Sequence, residues 1–476
     1  MNHGTSTRSS RCFARSAFVL LATTLFGCSQ PGVVVGSAPR PLPWPSAIEV
    51  RFNHRDDSRY RSPLGDRWRN GDDFEHHLIE KINGARREVL VAIQELTLPQ
   101  VASALVRAHQ RGVIVQVVLE NSYSAPWADL HESDLPPHAR QRLRRLEALA
   151  DVDSDGVVTA RERRAGDAVG LLHEGGVPVI DDTEDGSRGS GLMHHKFMVI
   201  DKRQVITGSA NFTSSGVHGD GGAPRTRGNV NHLLSIQSTE LAAVFQEEFQ
   251  ILWGDGPGGL QNSRFGRGKP SRPVQSVTVE GTRVDVLFAP HSKSSENHGL
   301  QLIAQHLSTA ERSIDLALFV FSAQSLTDVL AQRVQSGVAI RLLADPGFAS
   351  RSFSEVLDLL GVALPDRFCK LEKGNRPLAK ALKGVGTPRL ARGDKLHHKF
   401  AVIDNKTVIT GSFNWSPSAA NTNDETLLVI HSPQLAKHFT REMDRLWESA
   451  ELGITPHIQR KLERQKIRCG DGAMRR

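Results

Sequence analysis

Two histidine–lysine pairs carry the chemistry in this sequence. His194 and Lys196 sit in Met193-His-His-Lys-Phe-Met-Val-Ile-Asp201, and His397 and Lys399 sit in Leu396-His-His-Lys-Phe-Ala-Val-Ile-Asp404. At the same offset after each aspartate comes Gly-Ser-x-Asn, as Gly208-Ser209-Ala210-Asn211 and Gly411-Ser412-Phe413-Asn414. On an extended segment a His and a Lys two positions apart point to the same side. The intervening His195 and His398 then face the other way and read as structural. A lysine ammonium is a compact charge suited to a phosphate oxygen. Ser209, Asn211, Ser412 and Asn414 can add neutral donors from a neighbouring strand. Two such half-sites would put two imidazoles and two ammoniums around one phosphoryl group. One histidine can attack phosphorus while the other protonates the leaving alcohol and later deprotonates water. The lysines would stabilise the equatorial oxygens, so no catalytic cofactor is expected.

The elements around these residues repeat as well. Ile48–Phe52 and Val284–Phe288 alternate as strands at the start of each half. Helical stretches follow at Phe74–Ala85 and Leu300–Ala310, then apolar runs at Val89–Leu96 and Ile314–Phe321. Next come helices ending in glycine, Val101–Gly112 and Leu326–Gly337, and buried strands, Val113–Leu119 and Val338–Leu343. Each half reads as βαβαβ, a strand pair around the motif, one further strand, and a closing helix (Glu240–Trp253; Gln434–Trp447). Apolar runs without alternation mark strands covered on both faces, which predicts an α/β fold of two pseudo-equivalent domains facing each other.

The duplicated H-x-K-x4-D-x6-G-S-x-N resembles the phospholipase D superfamily over nearly the whole chain outside one insertion. The resemblance implies a mixed β-sheet flanked by helices in each half. It also implies a metal-independent phosphodiesterase with a phosphohistidine intermediate and an active site between the halves. By family precedent the nucleophile falls on His194 and the general acid/base on His397, with the reverse open because the repeats are chemically symmetric. Lys196, Lys399, Asn211 and Asn414 match phosphate-binding positions. Asp201 and Asp404 match the motif aspartates, placed with the catalytic set but in a supporting role. The family usually has a carboxylate after the G-S-x-N strand to orient the motif histidine. Glu425 fills that place in the second half, whereas the first half has Asn229-Val230-Asn231, with no acid. On this reading Asp220 or another residue substitutes, or His194 is held less firmly.

Between the Val113 strand and the first motif lies an insertion (about residues 140–166) that the second half does not match. Asp151-Val-Asp153-Ser-Asp155-Gly156-Val157-Val-Thr159-Ala-Arg-Glu162 is D-x-D-x-D-G-x5-E, the EF-hand loop pattern. The expected ligands for a structural Ca²⁺ are Asp151, Asp153, Asp155, the Val157 carbonyl, Thr159 (directly or through water) and Glu162. Leu143, Leu146 and Leu149 form an apolar stripe leading in. The exiting helix is short and no second loop pairs with it, which argues for a staple and against a calcium switch.

The chain's 476 residues suit two domains, and its 39% hydrophobic, 23% charged composition excludes a collagen, a disordered acidic chain and a polytopic membrane protein. Residues 1–27 read as a signal peptide: Arg8, Arg11 and Arg15 precede the apolar stretch Ala17–Phe26. Leu25-Phe26-Gly27-Cys28 resembles a lipobox with Cys28 as the lipidation site, and Ser29 resembles the outer-membrane sorting choice. The expected location is therefore the cell envelope, lipid-anchored at the outer membrane or periplasmic. Residues 28–46 read as a tether that packs nothing, 47–253 and 276–450 as the two domains, 254–275 as a linker, and 451–476 as a basic tail. Four scattered cysteines are too few for a disulfide scaffold or zinc cluster and leave a Cys369–Cys469 pair open. The net charge of +7 resides in the leader and the tail, and without them the chain is close to neutral. A basic tail suits an anionic lipid surface at least as well as DNA. Aromatics make up only 6% of the chain, with no run that interleaves them with Arg and Lys for base stacking. Phospholipid hydrolysis is accordingly favoured over a nuclease, a cardiolipin synthase-like phosphatidyl transferase, or a lipoprotein that only binds phosphate-bearing polymers. No obligate protein partner is implied.

Overall fold

The computed structural model describes residues 40–470, except 184, 220–224 and 297. Its seven-stranded sheet is built in chain order from β1 (Ile48–Phe52), β2 (Glu88–Ile93), β3 (Ile114–Leu119), β4 (Val179–Asp181), β5 (Lys196–Ile200), β6 (Gln204–Gly208) and β7 (His232–Gln237). The nine-stranded sheet contains β8 (Gln275–Val279), β9 (Thr282–Ala289), β10 (Ser313–Leu318), β11 (Ala339–Ala344) and β12 (Val385–Thr387). It continues with β13 (Lys399–Ile403), β14 (Thr407–Gly411), β15 (Glu425–His431) and β16 (Glu451–Leu452). The spatial orders are β1-β7-β6-β5-β2-β3-β4 and β8-β9-β15-β14-β13-β10-β11-β12-β16. Without the added edge strands β8 and β16 the two permutations are identical. β2-β3-β4 and β10-β11-β12 run parallel, and the motif hairpins β5/β6 and β13/β14 start antiparallel to them. The duplicated mixed α/β architecture expected from the repeat is therefore the one observed.

The central strands of each sheet are buried on both faces. The outer face of the first is covered by α1 (Phe74–Gly84), α2 (Pro99–Gln110) and α5 (Ala168–Glu174), through Leu78, Val101, Leu105 and Leu172. The outer face of the second packs α7 (Gly299–Ser308), α8 (Gln324–Gln335) and the short α9 (Glu355–Leu359) through Ile303, Leu307, Leu326, Leu330 and Val356. The inner faces share one core with the closing helices α6 (Thr239–Trp253) and α10 (Pro433–Glu448). There Phe439 meets Phe400 at 5.0 Å and Phe52 at 5.2 Å between ring centroids, and Phe245 meets Phe197 and Phe288 at 5.2 Å each. A fully buried phenylalanine contributes roughly 1.5–3 kcal/mol, so this layer binds the halves into one body.

The insertion forms its own helix–loop–helix, α3 (Pro137–Ala150) and α4 (Ala160–Gly166), with a small core of Trp127, Leu143, Leu146 and Ala150. One terminal expectation needs correction, that of the tether, at its described residues 40–46. The tether does not pack nothing: the Arg441 guanidinium donates to the Arg40 carbonyl, Gln434 donates to the Pro43 and Trp44 carbonyls, and Pro45 is buried. The tail is a docked helix, α11 (Pro456–Cys469), whose Ile458 is buried and whose Cys469 is bonded to Cys369. Among the described residues no helix is long and apolar enough to cross a membrane. Cys28 and the leader lie outside the described residues.

Candidate active site

The shared spacing within the two motifs becomes a hairpin end in each sheet. Lys196 and Lys399 open β5 and β13, and His194 and His397 precede them at the seam between the sheets. The motif glycine allows the G-S-x-N strand to approach its neighbour. At Gly411 φ is +129°, and a Cβ there would lie 2.2 Å from the Thr426 carbonyl oxygen.

Each motif histidine is held by the opposite half. The His194 backbone N–H donates to the Asp424 carbonyl at 2.9 Å, and the His194 Nδ1 contacts Glu425 Oε2 at 2.7 Å. The His397 N–H donates to the Val230 carbonyl at 3.0 Å, and its Nδ1 contacts Asn231 Oδ1 at 2.9 Å. Asn231 is fixed by its amide, which donates to the Gly216 carbonyl at 2.8 Å and leaves Oδ1 to accept. In both cases Nδ1 is the donor and Nε2 is left for chemistry. This corrects the expected pairing. Glu425 orients the histidine of the first motif, not that of its own half, and the acid-free segment serves His397. Asp220, the suggested substitute, lies outside the described residues and is not needed.

Ser209 and Ser412 are also placed differently from the expectation. Ser209 Oγ donates to Asn231 Oδ1 at 2.8 Å and Ser412 Oγ donates to Glu425 Oε2 at 2.6 Å. Both are fully buried, so they steady the orienting groups and do not face a phosphate. Asp201 and Asp404 lie at the far ends of β5 and β13, roughly 20 Å along the strand from the histidines. Asp201 accepts the backbone N–H groups of Arg86, Arg87 and Glu88, and Asp404 those of Glu311, Arg312 and Ser313. They tie the hairpin to the strand beside it and take no part in the catalytic cluster.

Lys196 and Lys399 are both 1% exposed. Lys196 Nζ donates to the His194 carbonyl at 2.9 Å and to Gln94 Oε1 at 3.2 Å, and Gln94 also accepts from Asn211 at 3.2 Å. Lys399 Nζ donates to the His397 carbonyl at 2.7 Å and stands 4.9 Å from the Phe319 ring centre. Asn414 is half-buried in the matching place, with its Oδ1 unpartnered. Burial lowers the Lys196 ammonium to about 7. Burial, and then the charge of Lys196, hold Lys399 well below the usual range. Burial followed by the two lysines keeps both His194 and His397 neutral at physiological pH. Glu425 is pushed up to about 7 by burial, against the pull of Lys196. Two mutually repelling ammoniums in a desolvated site, offset only in part by Glu425, Glu95 and Asp345, suit an anion. The neutral imidazoles beside them have the chemistry of a nucleophile and a base.

His195 and His398 are structural, as expected. His195 Nε2 meets Glu248 at 2.9 Å and His398 Nε2 meets Glu442 at 2.9 Å. Sequence reasoning missed both glutamates, although each lies five residues before the tryptophan of its closing helix. It also missed Gln94 and Phe319, the first residues after β2 and β10. In the insertion, carboxylate oxygens of Asp151, Asp153 and Asp155 come within 4.8 Å of one another. Gly156 has φ +82° at the turn, and Asp151 Oδ1 is buried with no partner. Thr159 and Glu162 form a capping box on α4, and the same carboxylate accepts from the Val152 N–H at 3.2 Å. The three aspartates are thus gathered, while Glu162 is occupied on the helix it starts.

Comparison with known proteins places this geometry. A phospholipase D of Rickettsia typhi is 30% identical over 159 residues, covering 33% of this chain and 65% of its own. A mitochondrial cardiolipin hydrolase of Chlamydomonas reinhardtii is 24% identical over 208 residues, covering 40% of this chain and 84% of its own. Both alignments have the length of about one half. The crystal structure of a phosphatidylserine synthase of Haemophilus influenzae matches the fold with a TM-score of 0.53 at 14% identity, over 89% of this chain and 93% of that one. The family model described as cardiolipin synthase, PLD-like domain matches residues 78–253 and 303–447. With more than half of the chain matched in two copies, one per motif, this protein belongs to the phospholipase D-like family.

Proposed function

We propose that this protein hydrolyses phospholipids to phosphatidate and a headgroup alcohol by double displacement at phosphorus, without a catalytic metal. The observation that carries the reading is the cross-held pair of neutral histidines with free Nε2 atoms beside two buried lysines. The unequal backing of the histidines argues for their roles. As His194 Nε2 bonds to phosphorus its ring becomes cationic, and Glu425 on Nδ1 stabilises that charge. His397, backed by the neutral Asn231, is freer to give a proton to the leaving alkoxide and take one from water. The bound phosphodiester anion offsets the lysine charges that hold His397 neutral, so His397 takes up a proton on Nε2 as substrate binds; it delivers that proton to the leaving alcohol and regains one from the attacking water, whose oxygen displaces His194 from phosphorus. Lipid is favoured as substrate because the curated relatives bear the names phospholipase D and cardiolipin hydrolase.

Two accompanying readings belong with this one. The insertion suits a structural Ca²⁺ held by Asp151, Asp153, Asp155, the Val157 carbonyl and Thr159, with Glu162 released from its cap to complete the set. The orphaned Asp151 oxygen supports it. An exported, envelope-attached protein with Cys28 as its lipid anchor is supported by the leader pattern and by the Cys369–Cys469 disulfide, which suits an oxidising compartment.

The chain is incubated in chelator with phosphatidylcholine, phosphatidylethanolamine, cardiolipin and single-stranded DNA separately. Release of headgroup alcohol and phosphatidate without DNA cleavage is expected, and His194→Ala and His397→Ala each abolish it. DNA cleavage without lipid turnover would replace the substrate, and full activity in either variant would end the two-histidine mechanism.

A further inference from the structure

Away from the catalytic histidines, α11 and the segment from Ser350 to Lys370 enclose a cavity of about 330 Å³. Five cations line it: Arg351, Arg367, Lys461, Arg464 and Arg468. The single carboxylate there, Asp366, accepts the backbone N–H groups of Phe368 at 2.8 Å and Lys370 at 2.9 Å. No described carboxylate lies within ion-pair distance of any of the five. The arrangement is rigid. Cys469 is bonded to Cys369, the Gln465 amide donates to the Pro365 and Asp366 carbonyls, and Lys461 Nζ donates to the Ser350 carbonyl and hydroxyl at 2.9 Å each. Burial and then the charges of Arg351 and Arg464 lower the Lys461 ammonium, as expected where like charges are gathered without a counter-ion.

We propose that this cavity binds the phosphate headgroup of an anionic phospholipid and docks the protein on an anionic bilayer. Charge complementarity requires an anion, and the rim selects lipid. Beside the lining residues, Phe353 is 40%, Phe368 65% and Ile467 86% exposed. An apolar fringe around a basic pocket inserts among acyl chains while the cations meet phosphates. A nucleic acid would need open aromatic faces for stacking. Ile467 offers no ring, and the Arg367 guanidinium covers Phe368 at 4.7 Å. Side-chain contacts connect the cavity to the catalytic centre. Arg351 stands 5.9 Å from the Phe348 ring centre, Phe348 is 4.6 Å from Phe319, and Phe319 is 4.6 Å from the His397 ring.

The proposal shares the lipid reading of the active site but not its chemistry, and binding is scored without turnover. Full chain carrying His194→Ala is sedimented with vesicles of phosphatidylcholine, alone or with phosphatidylglycerol, and titrated with single-stranded DNA. Binding to the anionic vesicles only is expected, and it weakens with salt. Adding Arg464→Gln and Arg468→Gln makes it about thirtyfold weaker, at roughly a tenfold step per 1.4 kcal/mol and about 1 kcal/mol per charge. The Lys replacements at both positions retain it, and Phe368→Ser with Ile467→Ser weakens vesicle binding while the melting temperature is unchanged. Equal anionic-vesicle binding by the Gln variant and its parent overturns the proposal, as does equal binding to neutral vesicles. DNA binding lost in the Gln variant, with vesicle binding kept, assigns the cavity to nucleic acid instead.

Discussion

At the scale of single residues, this site works by holding ionisable groups near the point where they change charge. On the proposed mechanism Glu425 must be ionised to support a cationic His194, and burial has brought its carboxyl up to about 7. Lys196 must be protonated to hold a phosphate oxygen, and burial has brought it down to about 7. As pH falls through this value Glu425 gains a proton and support for His194 is lost. As pH rises through it Lys196 loses a proton and the phosphate loses a ligand. The expected kcat/KM profile is therefore a narrow bell centred near neutrality. Bound phosphate raises the Lys196 ammonium, so the alkaline limb of kcat lies at higher pH than that of kcat/KM. Lys196→Arg cannot deprotonate in this range, and its residual activity should lack the alkaline fall. An unchanged alkaline limb in that variant would assign it to another group. At this scale the histidines and lysines were legible in the sequence because spacing and side-chain type define them. The partner of each was not. Glu425 follows the second motif in the chain and supports the first, and only the facing of the two halves decides that.

At the scale of elements, the repeat made the strands and helices readable, since each apolar run was seen twice. Val101–Gly112 was expected where Pro99–Gln110 is found, and Leu326–Gly337 where Gln324–Gln335 is found, because glycine with positive φ ends both helices. The unrepeated pieces were read less well. Nothing in a basic, polar run shows that Cys469 returns to Cys369, and with it the tail becomes a wall of a cavity. The insertion stands between these cases, its loop pattern explicit but its contacts not. Its helix α3 sends Arg142 to Glu95 at 3.2 Å, next to Gln94, so the module touches the edge of the catalytic centre. Ca²⁺ should bind the three gathered aspartates, raise the melting temperature and leave activity measurable in EGTA. Asp153→Asn, which removes one charge from an exposed position, should weaken the calcium-dependent shift about tenfold in the concentration required, in line with affinities set by ligand charge. No calcium-dependent shift in the parent would remove the site.

At the scale of the whole molecule, two sheets of the same core topology enclose one site, and on the proposed mechanism the differences between the copies assign the roles. Gln94 against Phe319 beside the lysines, and Glu425 against Asn231 behind the histidines, break a symmetry that the backbone preserves. If carboxylate backing selects the nucleophile, exchanging the backing should exchange the role. In the parent, acid-labile phosphate trapped during turnover should lie on His194. Glu425→Gln should reduce turnover about a hundredfold or more, as loss of the orienting charge does in other acid–base dyads. Combining Glu425→Asn with Asn231→Glu moves the carboxylate behind His397, held there by Ser209 as Glu425 is by Ser412. This pair should recover part of the activity lost in Glu425→Asn alone, and the trapped phosphate should move to His397. Phosphate remaining on His194 in the exchanged protein would show that the lysine environments assign the nucleophile. The unequal partners Gln94 and Phe319, rather than Glu425 and Asn231, would then be the source of the asymmetry.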